Sequence, residues 1–230
     1  MKQLTWFDGS EEFKINKPIR LIELFAGYGS QSLALDYLGI PYESWRISEW
    51  AVNSILAYKD LHHPNDHTDY SEGMTDEEVK EQLRGKISID YSNPIADKQL
   101  DRMSSKRARE IWNSAVSSHN LLSITGVHGE DLCIDDEHSY IMCYTYPCQD
   151  LSIAGEQAGM ARGSGTRSGL LWEVERILKE CPIKPQVLLM ENVPNLLSEA
   201  HRGDFGEWVR VLDDMGYVSE WQVLIIPAIN

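Results

Sequence analysis

Three short stretches of this 230-residue chain bring together residue types that do chemistry. Phe25-Ala26-Gly27-Tyr28-Gly29-Ser30 is a glycine-rich turn, the kind of backbone that lets a nucleotide-like ligand approach closely. Tyr146-Pro147-Cys148-Gln149-Asp150-Leu151-Ser152 sets a cysteine behind a rigidifying proline, flanked by polar residues. A small buried hydrophobe is the commoner fate of a free cysteine; Cys143, inside an apolar run, fits that description and Cys148 does not. Met190-Glu191-Asn192-Val193-Pro194 offers a carboxyl that partial desolvation would hold in its proton-donating form. Alone, Glu191 reads rather as a loop carboxylate that caps the next helix.

What relates the three is the element that precedes each. Ile19–Phe25 is a mostly apolar run of the buried parallel-strand type, and Ser139–Thr145 and Gln186–Met190 are two more. Each stretch therefore begins where a strand ends. Helices are expected over Gln31–Leu38, Ala51–Leu61, Ser168–Glu180 and Phe205–Met215, and further strands over Tyr42–Ser48 and Tyr217–Ile226. Such alternation predicts an α/β fold with a doubly wound, mostly parallel, Rossmann-like sheet. All three stretches then share the carboxyl edge of that sheet.

Glu49-Trp50, at the end of the second strand, sharpens the first site. A carboxylate there is placed to accept hydrogen bonds from ribose hydroxyls, and Trp50 offers a face for an adenine ring. A dinucleotide fingerprint needs a third glycine two positions beyond Gly29, where this chain has Gln31 followed by Ser32. A cofactor without phosphates fits better, and a nicotinamide enzyme would leave Cys148 and Glu191 without a role.

In order, FAGYGS, PCQ and ENV resemble the DNA (cytosine-5)-methyltransferases, in register from about Ile19 to Ile226. The resemblance implies that Phe25, Ala26, Gly27, Tyr28, Gly29 and Ser30 form the S-adenosylmethionine loop, with Ser30 where a glycine is usual. It implies that Glu49 and Trp50 hold ribose and adenine, that Asp131 lies near the adenine amino group, and that Leu170, in Arg167-Ser168-Gly169-Leu170, lies along the cofactor. Cys148 matches the nucleophile and Glu191 the acid. Pro147, Gln149, Ser152, Asn192 and Val193 are implied to line the substrate, a cytosine in double-stranded DNA. A thiolate that attacks carbon 6 and an acid that protonates N3 would make carbon 5 nucleophilic, a covalent mechanism that needs a depressed thiol pKa. The target base must also leave the stack. A tRNA-directed branch of the family and a non-catalytic fragment that binds cofactor or a partner chain stay open as alternatives.

Composition bounds the rest. The chain is 42% hydrophobic, enough to build a core, and no apolar run approaches the ~18 residues of a membrane span. No signal peptide precedes residue 19, so residues 1–18 read as an extension and the protein as cytoplasmic, bacterial or phage-like. A net charge of −15 is wrong for a protein that grips phosphates unaided. The family's target-recognition region and its Gln-x-Arg-x-Arg segment have no counterpart here. The abrupt end at Pro227-Ala228-Ile229-Asn230, directly after the last expected strand, reads as a cut or a split, with a second polypeptide as one way to supply what is absent. Four cysteines without a C-x-x-C pair argue for reduced thiols and no metal.

Residues 65–120 interrupt the alternation as a helical insertion. A capping box opens at Thr75-Asp76-Glu77-Glu78, and one long helix is expected from Pro94 to His119. Lys98, Arg102, Lys106, Arg107 and Arg109 read as a solvated helix face with i,i+4 pairs, and His62, His63 and His67 as surface residues.

Overall fold

The computed structural model describes residues 15–147 and 168–224. Its centre is a four-stranded, all-parallel sheet in the order β2-β1-β3-β4, formed by β1 (Ile19–Leu24), β2 (Glu43–Ser48), β3 (Ser139–Tyr144) and β4 (Val187–Met190). Ile19, Arg20 and Leu21 of β1 pair with Ser139, Tyr140 and Ile141 without a register shift, so the two central strands end level. From β1 the chain passes to β2 on one side, then returns across it to β3 and β4 on the other. That reversal opens a crevice at the carboxyl ends of β1 and β3, where open α/β sheets bind ligands.

Strand periodicity divides the helices between two faces. Ile22, Leu24, Tyr140, Met142 and Tyr144 point into a core closed by α6 (Leu171–Glu180) and α7 (Arg202–Asp214), with Leu171, Val174, Ile177, Leu178 and Trp208 opposite. The alternate residue Glu23 faces the other way, toward α1 (Ser30–Tyr37) and α2 (Val52–His62). This is the expected α/β, doubly wound, Rossmann-like arrangement.

The insertion is packed onto α2 rather than set apart. Val79 and Leu83 of α3 (Asp76–Leu83), Leu100 of α4 (Asp97–Asp101) and Ala108, Ile111 and Ala115 of α5 (Ser105–Ser117) bury against Val52 and Ile55. The capping box forms as expected: Glu78 N–H donates to Thr75 Oγ1 at 3.2 Å, and Thr75 N–H to Glu78 Oε2 at 2.7 Å. The single helix expected over 94–119 is instead two, α4 and α5. Ser104 breaks it by accepting the Arg107 N–H at 3.3 Å, a cap that starts a new helix. Of the basic cluster, Lys98, Arg102 and Lys106 are exposed, and Arg107 pairs with Glu110 at 2.8 Å. Arg109 departs from the solvated face: it reaches off its helix to Asp76 and to the carbonyls of Ser71 and Met74.

The strand expected over Tyr217–Ile226 does not form across 217–224, and residues 225 and 226 lie outside the described residues. After Gly216 (φ +90°) the chain follows α7. Tyr217 donates to the Pro185 carbonyl, and Trp221 packs edge-on against Phe205, 5.5 Å between ring centroids. Those contacts hold the segment to the residues before β4 and to α7, and Val218, Val223 and Leu224 stay exposed.

Candidate active site

At the carboxyl edge the strand ends are laced to one another. Ala26 N–H donates to the Ser48 carbonyl at 3.1 Å, and Gly27 N–H to Glu49 Oε2 at 2.9 Å, joining the glycine turn to the end of β2. Thr145 Oγ1 donates to the Phe25 carbonyl at 3.2 Å, joining the end of β3 to the same turn. Asn192 Nδ2 donates to the Tyr146 carbonyl at 3.2 Å, joining the segment after β4 to the one after β3. The glycine turn, the approach to Cys148 and the approach to Glu191 thus form one connected edge.

The turn owes its shape to left-handed backbone at alternate positions, Phe25 (φ 58°), Gly27 (φ 55°) and Gly29 (φ 73°). The two glycines are needed for different reasons. A Cβ on Gly27 would meet nothing within 4 Å, so open space lies over the turn. A Cβ on Gly29 would sit 2.3 Å from His62 Nε2 and 2.6 Å from a ring carbon of Tyr58. The N–H groups of Ala26, Gly27 and Gly29 are all occupied within the protein, so this is no phosphate cradle of the dinucleotide type.

Glu49 is 9% exposed and bonded on both carboxylate oxygens, to Gly27 N–H and to Ala51 N–H at 2.6 Å. Burial raises its pKa above the ordinary glutamate value, and those backbone donors oppose the rise. Each carboxylate oxygen keeps a second lone pair for a ligand hydroxyl. Trp50 is half-buried beside it, Tyr28 and Ser30 are exposed, and Leu170 is half-buried in a 3-10 turn ahead of α6. Beneath the turn, the buried Glu23 accepts from Ser32 Oγ at 2.6 Å and Tyr58 Oη at 2.7 Å, fixing α1 against α2. Burial, and then the Glu23 carboxylate beside it, push the Tyr58 phenol well above its usual pKa.

On the other side of the crevice, Pro147, Asn192 and Val193 are half-buried and Glu191 is exposed, so the partial desolvation expected of Glu191 is not found. Glu191 follows β4, which is an edge strand among the described residues. Cys148, Gln149 and Ser152 lie outside the described residues, as does Arg167. The three described cysteines are free. Burial pushes the Cys143 thiol up to about 12 and Cys181 up to about 11, which makes both inert. Cys133 is exposed but sits by Tyr140 near the opposite, amino end of the sheet.

Three placements differ from the sequence reading. Asp131 does not reach the crevice. Its carboxylate accepts the His128 N–H at 2.8 Å to close a 3-10 turn, and its carbonyl faces Arg46, part-way along β2. The residue beside Glu49 is Asn120, which no local pattern marks, because the chain arrives there from the far end of the insertion. His62 is not a bare surface residue: its Nε2 lies 2.9 Å from the Tyr28 carbonyl, and its ring packs on Tyr58 at 4.3 Å. Its position on the last turn of α2, four residues after Tyr58, was the available signal.

With this geometry in view, comparison with known proteins decides the family. The sequence model described as C-5 cytosine-specific DNA methylase matches residues 92–228. The chain belongs to that family. It is 33% identical over 208 residues to Type II methyltransferase M2.ScrFI of Lactococcus lactis subsp. cremoris, covering 90% of this chain and 56% of the relative. It is 36% identical over 216 residues to Orphan methyltransferase M.SssI of Spiroplasma monobiae, covering 90% and 55%. To Type II methyltransferase M.HhaI of Haemophilus parahaemolyticus it is 33% identical over 119 residues, 52% of this chain and 34% of the relative. The chain spans about half the length of the first two relatives. Among the described residues no cluster of metal-ligating side chains occurs and no helix is long and apolar enough to cross a membrane.

Proposed function

We propose that this chain is the cofactor-binding and catalytic portion of an S-adenosylmethionine-dependent DNA (cytosine-5)-methyltransferase. The observation that carries the reading is the Asn192–Tyr146 bond, which ties the segment bearing Glu191 to the segment leading into Pro147-Cys148. Both are joined through Thr145 to the glycine turn.

The described residues fit the cofactor. The space over Gly27, the buried carboxylate of Glu49 and the half-buried ring of Trp50 suit a ligand with a ribose diol and an adenine. Residues 25–30 would lie against it, Glu49 would accept from the ribose hydroxyls, and Leu170 would flank it. When bound, S-adenosylmethionine supplies an electrophilic methyl group on a sulfonium to carbon 5 of the activated base. Cys148, as thiolate, forms a bond to carbon 6 while Glu191 delivers a proton to N3, and the electron pair moves toward carbon 5. Once carbon 5 has lost its proton to solvent base, the carbon 6–sulfur bond breaks. The thiolate leaves, and N3 returns its proton to Glu191. Pro147, Gln149, Ser152, Asn192 and Val193 would line the base, extruded from the duplex at a cost of a few kcal/mol.

A net charge of −15 supplies little grip on DNA. We assign sequence recognition and much of the phosphate contact to a segment or second polypeptide beyond this chain. The test is transfer of labelled methyl from S-adenosylmethionine to unmethylated duplex DNA, with tRNA as the competing substrate and Cys148→Ala as control. The reading expects label in duplex DNA, dependent on Cys148, once a recognition segment is supplied. Label in tRNA, or in the Cys148→Ala reaction, would overturn it.

A further inference from the structure

We propose that Asn120 is a positioning residue of the cofactor site, holding Glu49 by its backbone so that the carboxylate stays aimed at the glycine turn. The proposal rests on the reading of that turn as a cofactor site. Asn120 is contributed by the end of the helical insertion, 71 residues from Glu49 in sequence. Its Oδ1 accepts the Glu49 N–H at 3.0 Å and the Leu122 N–H at 2.8 Å, and its Nδ2 donates to the Glu49 carbonyl at 3.0 Å.

A side-chain amide is suited to this position. The ladder between β2 and the returning chain runs only as far as Ile47, whose N–H and carbonyl pair with His119 and Leu121. At Glu49, just past the strand end, both backbone groups would otherwise lack a neighbouring strand. One carboxamide carries an acceptor and a donor side by side and reproduces what a peptide unit would offer. Aspartate lacks the donor, and alanine lacks both.

The local backbone is bent to bring the amide there. His119 (φ 50°) and Leu122 (φ 63°), on either side of Asn120, are left-handed, a conformation leucine rarely adopts. Ser48 Oγ fixes the bend by donating to the Leu122 carbonyl at 2.7 Å. The insertion also grips the next residues from a second side. Ser88 N–H donates to the Trp50 carbonyl at 2.8 Å, and Val52 N–H to the Ser88 carbonyl at 2.9 Å. The insertion therefore braces the Glu49-Trp50-Ala51 segment, and Asn120 is the part of the brace that reaches Glu49 itself.

The test is calorimetric titration of S-adenosylhomocysteine into the 230-residue chain, for wild type, Asn120→Ala, Asn120→Asp, Glu49→Gln and Asn120→Ala/Glu49→Gln. Melting curves and amide hydrogen exchange accompany each titration. Asn120→Ala is expected to weaken binding about tenfold and to speed exchange at the Glu49 amide. Asn120→Asp, which keeps the acceptor, falls between wild type and Ala and serves if the Ala variant does not fold. Because Asn120 acts through Glu49, the double variant binds no more weakly than Glu49→Gln alone. Wild-type affinity in Asn120→Ala, or losses that add in full, would overturn the proposal while leaving the cofactor site intact. No binding by folded wild type would overturn the cofactor reading itself, and the proposal with it.

Discussion

Glu49 Oε2 accepts the Gly27 N–H at 2.9 Å, so the residue proposed to hold a ribose also fixes the turn proposed to lie against it. The acceptor and the shape of the cradle are coupled. Glu49→Gln replaces a charged acceptor with a neutral amide and gives the Ala51 N–H a poorer partner. Loss of about 1.5–3 kcal/mol, roughly a factor of ten to a hundred in cofactor affinity, is expected. Titration of S-adenosylhomocysteine checks it.

Burial raises the pKa of Glu49, and this gives two pH trends of opposite sign. The folded chain holds the Glu49 proton to a higher pH than the unfolded chain does. Its contribution to stability is therefore present at low pH and is lost as pH rises from the unfolded value through the raised folded one. Cofactor affinity moves the other way, because the ionised carboxylate accepts ribose hydroxyls, and it falls as pH drops through the same raised pKa. Affinity measured against pH should show an acid limb in wild type that is absent in Glu49→Gln.

The two turn glycines should respond differently to alanine. Gly27→Ala meets open space and bears only the left-handed strain, about 1–2 kcal/mol. Gly29→Ala adds a collision with His62 and Tyr58 and should cost of order 2–3 kcal/mol more. Urea unfolding of the two variants measures the difference, and equal losses would contradict the packing described.

Thiol reactivity should separate the cysteines. With Cys143 pushed up to about 12 and Cys181 up to about 11, neither should be alkylated by iodoacetamide at about pH 8 in the folded chain. Cys148 should be modified, and cofactor with DNA should protect it. Peptide mass mapping reads this directly.

Most of the sheet was legible because β1, β3 and β4 are mostly apolar runs, whereas β2 (Glu43-Ser44-Trp45-Arg46-Ile47-Ser48) was legible mainly from its place in the strand–helix alternation. Ile19–Leu24, Glu43–Ser48 and Ser139–Tyr144 lie close to where pattern places them, each followed in sequence by a candidate site residue. What pattern could not carry was non-local. The helix break at Ser104 turns on one cap that a helical periodicity also tolerates. The segment after Gly216 has strand-like composition, but contacts to the Pro185 carbonyl and to Phe205 of α7 decide its course. The expectation for Asp131 rests on the family resemblance alone, across an insertion that blurs the register, and its carboxylate is taken by its own turn. Asn120 and His62 carry no motif. They matter because a long excursion returns beside β2 and because α2 ends under the glycine turn.

The central claim is that Cys148 and Glu191 act on one cytosine. The most direct test is to incubate the chain, joined to the C-terminal portion of a relative such as M.SssI, with S-adenosylmethionine and duplex DNA carrying 5-fluorocytosine. Fluorine cannot leave as the proton does, so a covalent complex should accumulate, with the DNA on the peptide containing Cys148, and it should form far more slowly in Glu191→Gln. A folded, cofactor-binding chimera that forms no adduct, or one whose adduct survives Cys148→Ala, would contradict the account.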